Sequence, residues 1–318
     1  MPMSFKVYGL HIWFFGIRNP AETDAFPLHF ISPVTTFLGR GRRSAMAALD
    51  FEKRVAQRSA IREHMDKIGR KILVMSGKGG VGKTTIAVGL ARALSARGER
   101  VGILDTDLHG PNVAKMLQVD MASRFSEGPD GLLVPVEVDG NLSIAGVDSA
   151  MEDKEDAVIW RGPMKSMVIN DLLARVGWGR LDYLLIDSPP GSGDEQLTVC
   201  KSIPELTGAI IVTTAQEVSL LDAVRSVTFC RKMGIAIIGI VENMSSFVCP
   251  DCGSTMALFG SEGGRRIAAR TGTPFLGSVP LVAHRSNGTS DSHALDKALD
   301  DIARIVHEGM TCSSVEGR

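Results

Sequence analysis

The sequence predicts an α/β fold built on one doubly wound, mostly parallel sheet. Three observations carry this. Short apolar runs alternate with helix-period segments from Lys71 onward, a Gly-rich phosphate loop lies between the first run and the first such helix, and aspartates follow the ends of later runs.

Lys71–Met75 reads as a buried strand, residues 77–82 as a loop, and Lys83–Arg97 as a helix that packs through Ile86, Val88, Leu90, Ala91 and Leu94 and stops at Gly98. Arg100–Leu104 is the next strand and Asn112–Leu117 a short helix. Asp120–Asp139 is rich in turn residues and suits a peripheral hairpin. Leu142–Val147 is a strand, Met164–Val176 a helix, and Tyr183–Ile186 and Ala209–Thr213 are strands. Leu220–Lys232 is a helix, Ala236–Val241 a strand, and Ala294–Val306 a closing amphipathic helix. Such alternation requires helices on both faces of a parallel sheet.

The domain plan is therefore residues 71–308, with a cysteine-bearing insertion near 244–258 and a flexible tail at 309–318. A leading helix over 46–70 precedes it. Residues 1–45 contain Pro2, Pro20, Pro27 and Pro33 and a basic cluster at 39–43 without a sustained period. They read as a flexible extension or a misassigned start, with Met46 or Met65 as alternatives. The apolar stretch Val7–Ile17 is interrupted by His11 and too short to span a bilayer. No signal peptide and no stable membrane association are expected.

Lys and Arg number 35 against 36 Asp and Glu, a formal net charge of -1, which gives no global electrostatic reason to expect a nucleic-acid binder. Five scattered cysteines in 318 residues do not form a secreted disulfide framework, and a reducing, cytoplasmic compartment fits them better.

Gly77-Lys78-Gly79-Gly80-Val81-Gly82-Lys83-Thr84 fits the phosphate-loop pattern in the strand–loop–helix context that it needs. The glycines let successive amides approach phosphate oxygens. Lys83 reaches the β and γ phosphates of ATP, and Thr84 supplies a hydroxyl to Mg²⁺. Lys78 is either a second cation at the γ phosphate or a solvated loop residue. Asp187, just beyond an apolar strand, is placed to support Mg²⁺ through water, and Asp107 to orient the attacking water. Asp105 either serves the ligand or binds turn amides. His109 reads as a polar loop residue. Pro189-Pro190-Gly191-Ser192-Gly193-Asp194 suits a loop that reports phosphate state, with Asp194 an alternative helix cap.

Cys249 and Cys252 form a C-x-x-C pair in an otherwise irregular segment. Two thiolates cannot complete four-coordinate ligation, but a two-fold dimer would gather four. From the residues alone a [4Fe-4S] cluster, zinc, and a redox or structural thiol pair stand equal. Cys200 and Cys230 read as buried small residues, and Cys312 falls in the tail.

Five separated motifs together resemble the Mrp/Nbp35 family of iron-sulfur cluster carrier ATPases, P-loop NTPases with a deviant phosphate loop. They are GKGGVGKTT (Gly77 to Thr85), DTDLHGPN (Asp105 to Asn112), WRGPM (Trp160 to Met164), LDYLLIDSPPGSGDEQLT (Leu181 to Thr198) and VENMSSFVCPDCGS (Val241 to Ser254). The resemblance covers about residues 68–305. It implies that Lys78 acts across a homodimer on the partner's nucleotide, that the loop through Thr85 binds phosphate, and that Asn243 recognises adenine. It also implies that Cys249 and Cys252 bridge a cluster between subunits. The first 45 residues and Leu281 to Asp291 depart from the family's pattern, and no amino-terminal cysteine cluster is present.

The expected function is ATP-dependent delivery of an iron-sulfur cluster from an assembly scaffold to apo-proteins. The alternatives are a partitioning or positioning ATPase, a dimeric zinc-binding ATPase, and a nucleotide-dependent reductase.

Overall fold

The computed structural model describes residues 3–7, 10–14, 51–108, 110–120, 126–147, 162–191, 193–249, 252, 254–282 and 293–313. The chain divides into two units, Met1–Ser59 and Ala60–Arg318. In the first, β1 (Met3–Val7) and β2 (Leu10–Phe14) pair antiparallel, with Met3 opposite Phe14. This hairpin lies within the segment read from sequence as a flexible extension or misassigned start. A helix, α1, covers 51–65.

In the second unit, β3 (Ile68–Met75), β4 (Val101–Asp105), β9 (Leu181–Asp187) and β10 (Gly208–Thr213) form the sheet's centre. Among them Ile72, Leu73, Val74, Leu104, Leu185, Ile186, Ile210 and Ile211 have no exposed surface. Strands covered on both faces read as unbroken apolar runs, which is why they were legible. Each such side chain contributes about 1.5–3 kcal/mol of burial free energy.

The remaining sheet members are β7 (Val136–Asp139), β8 (Leu142–Gly146), β11 (Ile237–Val248), β12 (Thr255–Met256) and β13 (Phe275–Leu281). The order is β12-β11-β10-β3-β9-β4-β8-β7, with β13 also on β11. All pairings are parallel except β7 with β8 and β11 with β12. The peripheral hairpin, β5 (Ser126–Glu127) with β6 (Leu133–Val134), stands apart.

The helices are α2 (Lys83–Ser95), α3 (Val113–Leu117), α4 (Gly162–Arg175), α5 (Asp194–Ser202), α6 (Glu217–Lys232), α7 (Gly263–Thr271) and α8 (His293–Ser313). The chain leaves β3 in one direction toward β4 and β8, returns to β9, and then builds β10 and β11 on the other side of β3. That reversal places the loops at the strands' carboxyl ends around a shared crevice.

Several boundaries differ from expectation. β3 starts at Ile68, inside the segment read as leading helix, because Ile68 and Arg70 pair with Leu181 and Tyr183. α8 continues to Ser313, into the expected tail. α7 and β13 were not predicted, and α5 was anticipated only through Asp194 as an alternative helix cap. α5 is strongly polar, α7 opens with two glycines, and β13 carries Gly277 and Pro280, residues that weaken a strand reading. His109, Trp160, Arg161 and most of Leu281 to Asp291 lie outside the described residues, as does the Cys312 side chain.

Candidate functional site

Asp105 and Asp187 are register partners at the carboxyl ends of β4 and β9, and Val74 near the end of β3 pairs with Asp187. Strand register thus delivers two carboxylates and the phosphate loop to one edge. The Ser76 hydroxyl donates to the Lys78 carbonyl at 2.9 Å, and Gly80 and Gly82 take φ of 79° and 81°, which favours glycine. A Cβ at Gly82 would stand 2.1 Å from Asn243 Nδ2. At Gly77 it would stand 2.3 Å from the Asp222 carbonyl oxygen, so this glycine lets the loop lie against α6.

Lys83 and Thr84 open α2. Lys83 Nζ binds Asp187 Oδ1, and Thr84 Oγ1 donates to Asp187 Oδ2 at 2.7 Å. Lys83 and Asp187 are both buried, so their interaction is little screened. This places a cation, a hydroxyl and a carboxylate in one contact set, donor chemistry that suits a hard divalent cation and a polyphosphate.

Beside it lies a cavity of about 490 Å³. It is lined by Gly79, Gly80, Gly82, Lys83, Thr84 and Thr85 from the loop and first helical turn. Asp107, Asn112, Lys115 and Met116 line it from the segment after β4, and Ser76, Pro190 and Met244 complete it. Asp107 is thus brought to the cavity beside the phosphate loop. Lys78 is exposed and is not among the lining residues.

Asp105 binds turn amides. Its Oδ1 accepts from the Asp107 amide at 3.0 Å, and its Oδ2 from those of Asn112 and Val113 at 3.1 and 3.2 Å. Burial, followed by the neighbouring Asp187 charge, pushes its pKa up to about 7 against the opposing pull of those amides and Lys83.

Asn243 is buried on β11 just before its register against β13 breaks, and its Nδ2 donates to the Val81 carbonyl at 2.9 Å. Here the residue expected at adenine holds the phosphate loop, and its neighbour Met244 lines the cavity.

The segment after β9 is tied to the same loop. The Gly191 amide donates to the Ser76 carbonyl at 2.9 Å, and Ser188 Oγ to the Val74 carbonyl at 2.9 Å. Gln196 Nε2, fully buried on α5, donates to the Pro189 carbonyl at 2.7 Å. Asp194 is the first residue of α5 rather than its cap, which is Gly193. Sequence reasoning missed Gln196, Asn112, Lys115 and Met244. Asn112 and Gln196 stood within quoted motifs, but only the chain's path shows what they touch.

The cysteine pair sits on a hairpin. Phe247 pairs with Met256 and Val248 with Thr255, and the Cys249 amide donates to the Ser254 carbonyl at 2.9 Å. The segment expected to be irregular is therefore β-structured up to the cysteines, because β11 runs six residues past Glu242. Cys249 is half-buried and Cys252 exposed. Hydrogen bonding by the Ser254 hydroxyl, 3.0 Å from Cys252 Sγ, then by the Ser254 backbone and Cys249, holds the Cys252 pKa below the usual thiol value. Burial does the reverse elsewhere, raising Cys200 to about 11 and Cys230 to about 12. Cys252 has the more thiolate-like chemistry, and thiolate is the ligand form. Among the described residues no group of three or more His, Cys, Asp or Glu is placed to hold a metal.

Comparison with known proteins agrees with this geometry. The ParA family model described as NUBPL iron-transfer P-loop NTPase matches residues 67–308. The iron-sulfur cluster carrier protein of Methanocaldococcus jannaschii is 50% identical over 233 residues, covering 73% of this chain and 80% of that protein. The cytosolic Fe-S cluster assembly factor NUBP2 of Bos taurus is 48% identical over 224 residues, covering 69% and 82%. Among solved structures, a nucleotide-binding protein from Archaeoglobus fulgidus in complex with ADP superposes with a TM-score of 0.62 at 34% identity, covering 78% of this chain and 92% of that one. The cell division ATPase MinD of Pyrococcus furiosus shares the fold, with a TM-score of 0.53 at 24% identity over 76% of this chain and 99% of MinD.

Proposed function

The chain belongs to the Mrp/Nbp35-type iron-sulfur cluster carrier P-loop NTPases, and from that premise we propose that it carries a [4Fe-4S] cluster between two subunits and transfers it to apo-proteins under control of ATP hydrolysis. Its enzymatic activity is ATP hydrolysis, and the ADP complex of the Archaeoglobus fulgidus relative supports that reading. The relatives named cytosolic assembly factors support a cytoplasmic location.

In the proposed reaction Lys83 neutralises the β and γ phosphates, and Thr84 and Asp187 would hold Mg²⁺, which would supply further charge neutralisation. Asp107 orients a water toward the γ phosphorus. A bond forms from that water oxygen to phosphorus, the bond to the β–γ bridging oxygen breaks, and ADP, phosphate and a proton leave. Lys78 is exposed on the loop, consistent with service to a partner's site, where it would offset charge on the leaving oxygen. Thr85 and the loop glycines complete the phosphate cradle, and Asn243 sets the loop's position beside adenine.

One observation carries the cluster assignment: the Cys249 and Cys252 pair at a hairpin turn, with the Cys252 pKa lowered. One pair supplies half of a four-thiolate set, and two-fold symmetry supplies the rest. The cluster is cargo rather than a resident cofactor, and an assembly scaffold is its source.

Anaerobic reconstitution tests the proposal. Wild type should hold about four iron and four sulfide per dimer and pass them to an apo-acceptor. Cys249→Ser and Cys252→Ser should do neither while still binding ATP. Stoichiometric zinc in place of iron and sulfide, or cluster transfer unchanged in both variants, would overturn it.

A further inference from the structure

We propose that Lys115 is a second phosphate-binding cation of the nucleotide site, acting within its own subunit. The proposal rests on reading the cavity as the ATP site and adds a binding residue to it.

α3 is five residues long and asymmetric. Val113, Ala114 and Leu117 are buried, and Lys115 and Met116 are the two exposed residues, both lining the cavity. The helix is pinned where it begins, because Asp105 accepts the amides of Asn112 and Val113 while its other oxygen accepts that of Asp107. Asp105 is itself buried at the end of β4. The lysine stem is therefore presented from a fixed base, and only its own torsions must be ordered when it meets a ligand.

Charge supplies the second argument. Among the described residues the ionisable groups that line the cavity are Lys83, Asp107 and Lys115. Lys83 already binds the Asp187 carboxylate, so its charge is largely matched within the protein, and Asp107 adds negative charge. A polyphosphate entering this cavity needs further positive charge to offset its own. Lys115 is the remaining cation of the lining, and an ammonium on a flexible stem suits phosphate oxygens as a point charge. This role differs from that of Lys78, which lies outside the lining.

The test is calorimetric titration of the full-length protein with ATP, ADP and AMP at low and moderate salt, for wild type, Lys115→Gln and Lys115→Arg. Thermal melts establish that each variant is folded, and Lys83→Ala marks the site. Lys115→Gln should bind ATP about tenfold more weakly, as expected for one lost charge-assisted contact. AMP affinity should change little, Lys115→Arg should stay within about threefold of wild type, and the salt dependence of ATP binding should be shallower in the glutamine variant. If wild type binds ATP, Lys83→Ala loses it, and Lys115→Gln matches wild type at low salt, the lysine is a solvated surface group and the proposal fails alone. Equal losses for ATP and AMP would also overturn it. If neither wild type nor Lys83→Ala responds to ATP, the reading of the cavity itself fails.

Discussion

Thr84 Oγ1 donates to Asp187 Oδ2 at 2.7 Å while Lys83 binds the other oxygen of the same carboxylate. One buried side chain thus holds both the lysine and the hydroxyl that open α2, although more than a hundred residues separate it from them.

Asp187→Asn should separate two consequences of that arrangement. Turnover at saturating ATP and Mg²⁺ should fall by about a hundredfold or more, because the metal-supporting charge is gone. The nucleotide-free protein should lose about 3 kcal/mol in denaturant unfolding, since Lys83 is left buried without its partner. Normal turnover with the expected loss of stability would make Asp187 a structural residue only.

Lys83→Ala should nearly abolish both ATP binding and hydrolysis, whereas Lys78→Ala should impair hydrolysis with less loss of binding. Mixing Lys78→Ala with Asp107→Asn subunits gives a sharper measurement. If the two residues act from different subunits on each nucleotide, a heterodimer has one site with both defects and one with neither, and ATPase activity should partly return. Proven heterodimers that stay inactive would count against action across the interface.

The two left-handed glycines of the loop should not be equivalent. A Cβ at Gly80 meets nothing within 4 Å, so Gly80→Ala bears mainly the left-handed backbone cost of about 1 kcal/mol. Gly82→Ala adds overlap with Asn243 Nδ2 and must displace the bond to the Val81 carbonyl. Melting without nucleotide should show a larger loss for Gly82→Ala, and equal melting temperatures would refute the Asn243 anchor.

Asp105 makes stability depend on pH in a defined direction. Its folded pKa, about 7, lies above the ordinary 3.8, so between these values the folded protein binds the extra proton. The resulting stabilisation is fully present below about 3.8 and is lost as pH rises through about 7. Measured in the absence of Mg²⁺ and nucleotide, the stability of wild type relative to Asp105→Asn should fall between pH 5 and pH 7 by at most about 1.4 kcal/mol per unit and then level. A difference that stays flat or rises with pH would show that the amide donors outweigh burial.

The sheet's centre was legible because its strands are buried on both faces and so are written as apolar runs, as Tyr183–Ile186 and Ala209–Thr213 show. The phosphate loop was legible because its chemistry dictates residues at fixed spacing. What escaped depends on long-range pairing. β13 tolerates Gly277 and Pro280 because β11 supplies its parallel partner, and α5 shows little apolar periodicity because Lys165, Ser166 and Asn170 of α4 meet it through polar contacts. Asn243 was singled out as an adenine contact, and its bond to Val81, across 162 residues of sequence, was not legible.

β11 also connects the two chemistries of the molecule without an intermediary. The same strand carries Asn243 against the phosphate loop and Met244 at the cavity, and leads directly into Cys249. It is not uniform along that length. Met244 has φ of 54°, and the register against β13 breaks between Asn243 and Phe247, where Ser245 Oγ holds the Val279 carbonyl at 3.1 Å. A left-handed non-glycine residue is held there only by its surroundings, and part of those surroundings is the cavity itself. Five residues lead from Met244 to Cys249, a span of about 17 Å at strand rise. In mechanical terms β11 is a single jointed arm between the Asn243 anchor of the loop and the cysteine pair.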